Sequence, residues 1–350
     1  MAAKRMIGRL GGALALSLCL ACTGPAAQTA VASGEQAARP PIMIERQGSF
    51  HAGGKVLRSP EGETLSCDHG YVEYQIPVDA RRTGLFMWHS SSAHVWQQRW
   101  DGGEGFRDIF LRRGFPVYLW DGPRVGRANW GCEPYTFTPF VGQDQRNYLS
   151  WRLGPAEGEW FPGVQFPRDD PAALEQAMRA RYDEFDTEPN VHLQAEAAAR
   201  AIDRIGPVVL VTNSAGGLRG LLAATKTDNI KAIVAYETPA LVFPEGEGPQ
   251  KPTGAIDSIH VPPEDFKKLT RIPIQLVWGD NTEGTFWTAG TELSRQFVEI
   301  MTAHGGQAEV LMLPSVGLTG NTHIPFADLN NVQVADQLSL FLEKHGLDQR

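Results

Sequence analysis

The 350-residue chain predicts an α/β fold: a mostly parallel, twisted sheet with helices on both faces. Two observations predict it. Short apolar runs rich in β-branched and aromatic residues recur along the chain, too continuous for strands with one wet face. Helical segments fall between them, the alternation that builds parallel sheets. A hydrophobic content of 42% supports a sizeable core, and the length fits one large domain with insertions.

The elements follow in order. Lys4, Arg5 and Arg9 precede the apolar run 10–21, and small residues come after it. That run is too short to span a bilayer comfortably, so residues 1–32 read as a secretory signal. Two processing routes stay open: cleavage at the small residues Ala30-Val31-Ala32, or lipid attachment at Cys22, which would anchor the mature chain to a membrane. Export to a periplasm or outer membrane is expected either way. After a polar stretch to Pro41, a domain over 42–350 opens with GSFHAGGKVLR and HGYVEYQIP, two alternating segments that read as antiparallel strands at a sheet edge. GLFMWH (84–89) is a buried strand, 108–113 a helix closed by Gly114, and FPVYLW (115–120) the next strand.

Residues 124–190, rich in Trp, Phe, Pro and Gly with one expected helix over 172–185, interrupt the pattern. An insertion there lies over the C-terminal edge of the sheet, where α/β proteins bind ligands, and reads as a cap lining an apolar pocket. The pattern then resumes with a helix over 192–205, the strand Val208 to Val211 and a helix from Leu218. Strands at 230–236, 274–278 and 308–313 follow, with a helix over 291–303 before the last. A second Pro/Gly-rich insertion, 240–267, is expected to flank the same edge, and an amphipathic helix over 332–345 ends the chain.

Of four cysteines, Cys19 and Cys22 belong to the signal. Cys67 and Cys132 remain, an even pair in an oxidising compartment, and a disulfide between them is expected. The formal charge of -8, with 40 acidic and 32 basic residues, and the lack of a basic stripe interleaved with aromatics exclude a nucleic-acid partner.

Ser214 sits in Thr212-Asn213-Ser214-Ala215-Gly216, between a buried strand and a helix. A serine at such a corner, with small neighbours, is the arrangement that exposes a nucleophilic hydroxyl, although threonine stands where the first glycine of G-x-S-x-G belongs. An activated serine needs a base and a carboxylate to orient it. Among nine histidines, His323 lies in GNTHIPF, after the last strand and before the final helix, the position that the chain order Ser, acid, His requires. For the acid, Glu237 at the tip of the strand next to the serine strand is favoured, with Asp280 in VWGDNT as the alternative. Ala215 and Ser91 are expected to supply the oxyanion-binding amides, with Ser90 the alternative to Ser91. Trp96 and Trp100 read as pocket wall or as core.

The segments WHSSSAHVW, RDIFLRRGFPVYLWDGPRVGRA, TNSAGG, YETPA and GNTHIPFADLN together resemble the α/β-hydrolase superfamily, and most of all its exported bacterial esterases with a Ser-Glu-His triad. The resemblance covers roughly residues 45–345. It implies the α/β-hydrolase fold, hydrolysis of a small-molecule carboxylic ester carrying an apolar group, and Ser214, Glu237 and His323 as nucleophile, acid and base, with no metal or organic cofactor. Serines replace the glycine and cysteines that those esterases carry in the oxyanion loop. Lactone or amide hydrolysis would use the same machinery, and a non-catalytic binding protein on the same fold is the reading from another class.

Overall fold

Eight strands form one sheet, in the spatial order 1-2-4-3-5-6-9-10 when strands are numbered along the chain. The computed structural model describes residues 40–91, 93–135, 138–182, 184–250 and 256–350, so the signal segment with Cys22 lies outside the described residues. Ile42–Arg350 is one compact unit. The edge strands β1 (Ile44–Arg58) and β2 (Thr64–Pro77) pair antiparallel, and β2 runs antiparallel to β4 (Val117–Asp121). All other neighbours in this sheet are parallel: β3 (Gly84–His89), β5 (Val208–Asn213), β6 (Ile230–Tyr236), β9 (Pro273–Trp278) and β10 (Gln307–Met312).

The parallel strands are buried on both faces because alternate residues enter different cores. Leu85, Met87, Val209 and Val211 join α1 (Phe106–Arg112) and α8 (Asn331–Lys344) on one face. Phe86, Trp88, Val208 and Leu210 join α4 (Glu188–Ile205), α5 (Gly216–Ala224), α6 (Pro263–Leu269) and α7 (Trp287–Ala303) on the other. With side chains alternating at period two, a continuous apolar run is what a strand between two helical layers requires.

The insertion 124–190 contains α2 (Gln143–Ser150) and α3 (Pro171–Arg179). α3 begins where Asp170 accepts a capping bond from the Ala172 N–H at 2.9 Å, and it ends six residues short of the expected Phe185. The chain beyond it carries Arg181, Glu184 and Asp186 to the ligand edge instead. α2 has no sequence signal, since QDQRNYLS offers Tyr148 alone as a buried apolar residue. Several of the insertion's aromatics pack into the core: Tyr148, Trp151 and Phe166 are buried, and Trp160 stacks on Phe166 with ring centroids 5.6 Å apart. Trp96 is likewise core, stacked on Phe326 at 3.8 Å, and Trp100 is buried against Trp151.

The second insertion holds a two-stranded parallel sheet, β7 (Val242–Pro244) and β8 (Ile259–Val261). Its apolar residues extend the α5/α6 face of the core, and none of its described residues lines the cavity at Ser214.

Cys67 and Cys132 form a disulfide across 65 residues of sequence, tying β2 to the start of the insertion. Reducing it, or replacing both cysteines by alanine, is expected to lower stability by roughly 2–4 kcal/mol, because an unfolded chain loses a long covalent loop constraint. Urea unfolding with and without a reductant measures this.

Candidate active site

Ser214 is the first residue beyond β5 and adopts φ +54°. This left-handed conformation is strained for a residue with a side chain and persists only where the surroundings fix it. Here they do: the Ser214 N–H donates to the Tyr236 carbonyl at 3.0 Å, and the Gly217 N–H returns to the Ser214 carbonyl at 2.9 Å. Thr212 is accommodated in place of the expected glycine by a glycine elsewhere. Its Cγ2 lies 3.0 Å from the point where a Cβ on Gly220 of α5 would stand, so the space is made on the helix instead of the strand.

Glu237 repeats the geometry one strand over, first beyond β6 and at φ +55°. Its carboxylate is fully buried and holds three partners. Oε2 meets His323 Nδ1 at 3.2 Å, while Oε1 accepts from the Gly279 N–H at 2.6 Å and from Arg152 Nη2 at 2.5 Å. Burial opposes its charge, but Arg152 and His323 outweigh that and hold the carboxyl below its ordinary pKa. An ionised carboxylate can only accept, so His323 carries its hydrogen on Nδ1 and its lone pair on Nε2. Burial pushes the imidazole below its ordinary value against the opposing pull of Glu237, which keeps it neutral and basic at pH 7.

The histidine loop is fixed on every side. The His323 N–H donates to the Trp151 carbonyl at 3.0 Å, and the His323 carbonyl accepts from Asn213 Nδ2 at 3.0 Å. The Trp287 ring stacks on the imidazole at 4.4 Å, and its own N–H is tied to the Ser150 carbonyl at 2.7 Å. Asp328 accepts from Asn321 Nδ2, the Thr322 N–H and the Thr322 hydroxyl at 2.8–3.0 Å. Burial pushes its carboxyl up to about 7 despite those donors.

Asp280 has a different place. Its Oδ2 accepts from the Gly320 N–H at 2.9 Å and its Oδ1 from the Asn281 N–H at 2.7 Å. It braces the loop that carries His323, whereas Glu237 meets the imidazole itself.

Ser214 and His323 line one cavity of about 240 Å³, together with Ser90, Ser91 and residues of the insertion. The Ser91 N–H is committed to His89 Nδ1 at 3.0 Å. His89, which burial and nearby positive charge hold well below its ordinary pKa, is therefore neutral and accepts at that atom. The Ser90 nitrogen lies 3.5 Å from the point where a Cβ on Gly216 would stand, beside the serine turn. The Ser90 carbonyl accepts from Arg219 Nη1 of α5 at 2.8 Å. The pocket wall is also not apolar. Beside Trp151, the insertion contributes the polar Gln143, Arg146, Asn147, Arg181 and Glu184.

Sequence reasoning missed Arg152, Trp287 and Arg219. Arg152 and Arg219 are fully buried arginines, and arginine reads as surface in a sequence unless a buried partner is already known. Their signals were weak but present: Arg152 follows Trp151 inside an aromatic stretch, and Arg219 interrupts an otherwise apolar helix.

The sheet order, the left-handed serine beyond β5 and the histidine in the loop before the last helix define an α/β-hydrolase fold. A bacterial esterase of known structure superposes on this chain with a TM-score of 0.73 and 26% identity, covering 88% of this chain and 98% of its own. The chain is also 23% identical over 343 residues to the probable secreted lipase phiG of a fungal species (strain ATCC 74256), covering 84% of this chain and 89% of that one. No protein-family model matches the chain.

Replacing Arg152 by methionine is expected to cost about 3–5 kcal/mol, since it leaves Glu237 charged, buried and without its cation. The double variant Arg152→Met/Glu237→Gln should recover a large part of that loss. Denaturant unfolding of wild type, both single variants and the double variant measures the coupling.

Proposed function

We propose that this chain is an exported serine hydrolase that cleaves carboxylic esters with Ser214 as nucleophile, His323 as base and Glu237 as the acid that orients it. One observation carries the reading: a strained serine and a histidine held by a buried carboxylate face a common cavity. The esterase and the secreted lipase similar to the chain support ester chemistry and export, and the Cys67–Cys132 disulfide fits an oxidising compartment.

Ser214 Oγ attacks the ester carbonyl while His323 Nε2 takes its proton, and Glu237 stabilises the imidazolium that forms. The oxyanion is held by the amides of Ala215 and Ser90, both fixed before substrate arrives, so their dipoles need no reorganisation. The intermediate collapses, His323 protonates the departing alkoxide, and an acyl-serine remains. Water then enters, His323 takes one of its protons, and the acid is released as Ser214 recovers its hydrogen. Residues 1–32 serve export in the same reading, and the intact mass of the mature chain distinguishes lipid on Cys22 from cleavage after Ala32.

On p-nitrophenyl acetate and butyrate, Ser214→Ala should lower kcat by about 10⁴-fold or more, and Glu237→Ala by about 10²–10⁴-fold. Asp280→Ala should lose less than about tenfold, since it changes loop support and leaves the imidazole's hydrogen bond in place. Full activity in Ser214→Ala, with no serine labelled by a fluorophosphonate, would overturn the reading. The neutral imidazole is the working form and its pKa is lowered, so activity should persist as pH falls. More than half of the plateau kcat/KM is expected at pH 6.5, the ordinary imidazole value; a profile already below half at that pH contradicts the buried-base assignment.

A further inference from the structure

The cavity at Ser214 is lined by charge, and most of that charge is already matched. Arg181 donates through Nη2 to Glu184 at 2.7 Å and through Nη1 to Asn147 Oδ1 at 2.6 Å. Asp186 pairs with Arg219, which is buried. Glu237 is matched by Arg152 behind the histidine. Arg146 of α2 is left over. It is exposed, lines the cavity, and among the described residues its guanidinium has no hydrogen-bond or ion-pair partner. With His323 neutral, the uncommitted charge of the wall is a single positive one.

Its neighbour Asn147 adds a second, independent signal. Asn147 is 2% exposed and lines the same cavity. A guanidinium only donates, so the atom facing Arg181 must be the amide oxygen. Gln143 Nε2 donates to that oxygen as well, at 2.7 Å. The orientation of the amide is therefore determined, and its Nδ2 is left buried without a partner. A buried donor without an acceptor costs free energy in the empty protein, and a ligand oxygen that satisfies it recovers that cost.

One unmatched cation and one unmatched neutral donor, on consecutive residues of one helix, complement a singly charged planar anion with two oxygens. We propose that the substrates of this site carry a carboxylate in addition to the scissile ester, bound by Arg146 and Asn147. The inference rests on the serine-esterase reading and narrows it: half-esters of dicarboxylic acids, or acylated hydroxy acids, are favoured over long neutral acyl chains. A dianionic phosphate would exceed the single positive charge available. The volume of about 240 Å³ suits such small molecules.

Two matched pairs of esters test this at low ionic strength. Mono-4-nitrophenyl glutarate against 4-nitrophenyl pentanoate places the carboxylate on the acyl side; 4-acetoxybenzoate against phenyl acetate places it on the alcohol side. In wild type, the charged member of one pair should exceed its neutral partner in kcat/KM by about tenfold or more, the size of one charge-assisted hydrogen bond. The pair that shows it locates the subsite. Arg146→Met and Arg146→Gln should both collapse that ratio, Arg146→Lys should keep part of it, and added salt should shrink it in wild type. Equal ratios in wild type and both neutral variants, on both pairs, overturn the carboxylate subsite while leaving the esterase reading intact. Failure of wild type to cleave any of the four overturns both.

Discussion

Glu237 and Arg152 are both sealed from solvent, and the rest of the site is arranged around the fact that neither can exist there alone. A carboxylate buried without a cation would take up a proton, and a neutral Glu237 could no longer stabilise an imidazolium. The guanidinium therefore does more than tie two segments together. It fixes the protonation state on which His323 depends, from a position on the far side of the carboxylate. Glu237 is ionised below its ordinary pKa, so its contribution to stability is present above pH 4.5 or so and is lost as pH falls through its lowered folded-state value.

The supply of that cation by the insertion changes what the insertion is. Its Ser150 and Trp151 carbonyls hold Trp287 and His323, and its Arg152 side chain holds Glu237. Asp186 near its end binds Arg219, which in turn holds the Ser90 carbonyl. Glu237, His323 and the loop at Ser90 are thus each touched by the same stretch of chain. The sheet supplies three strand ends, at Ser90, Ser214 and Glu237, and the insertion locks what stands on them. Two of those ends use a left-handed residue with a side chain, strain that the packing around them sustains.

The framework was legible because its causes are local. Runs such as GLFMWH and VVLV must be buried on both faces, and the helices between them must cover them, so strand and helix positions follow from the residues themselves. The serine and histidine were legible through their places between elements. Glu237 stood out by its position at a strand tip. Arg152 was not, because its partner lies 85 residues away and no local pattern marks a buried ion pair. The polarity of the cavity was misread for a related reason: aromatic content says how much apolar surface will be buried, but not whether a core or a ligand will bury it. The commitment of the Ser91 amide to a side chain two residues earlier, His89, has no sequence signal of its own.

An insertion attached in this way constrains how the protein can diverge. It is bonded covalently to β2 at Cys132 and electrostatically to Glu237 at Arg152, so exchanging it wholesale for another segment would strip Glu237 of its counter-charge along with the old cavity wall. New substrate ranges are open to this scaffold one residue at a time, at the cavity-facing turns of α2 and the stretch after α3, where side chains can change while the two attachments stay.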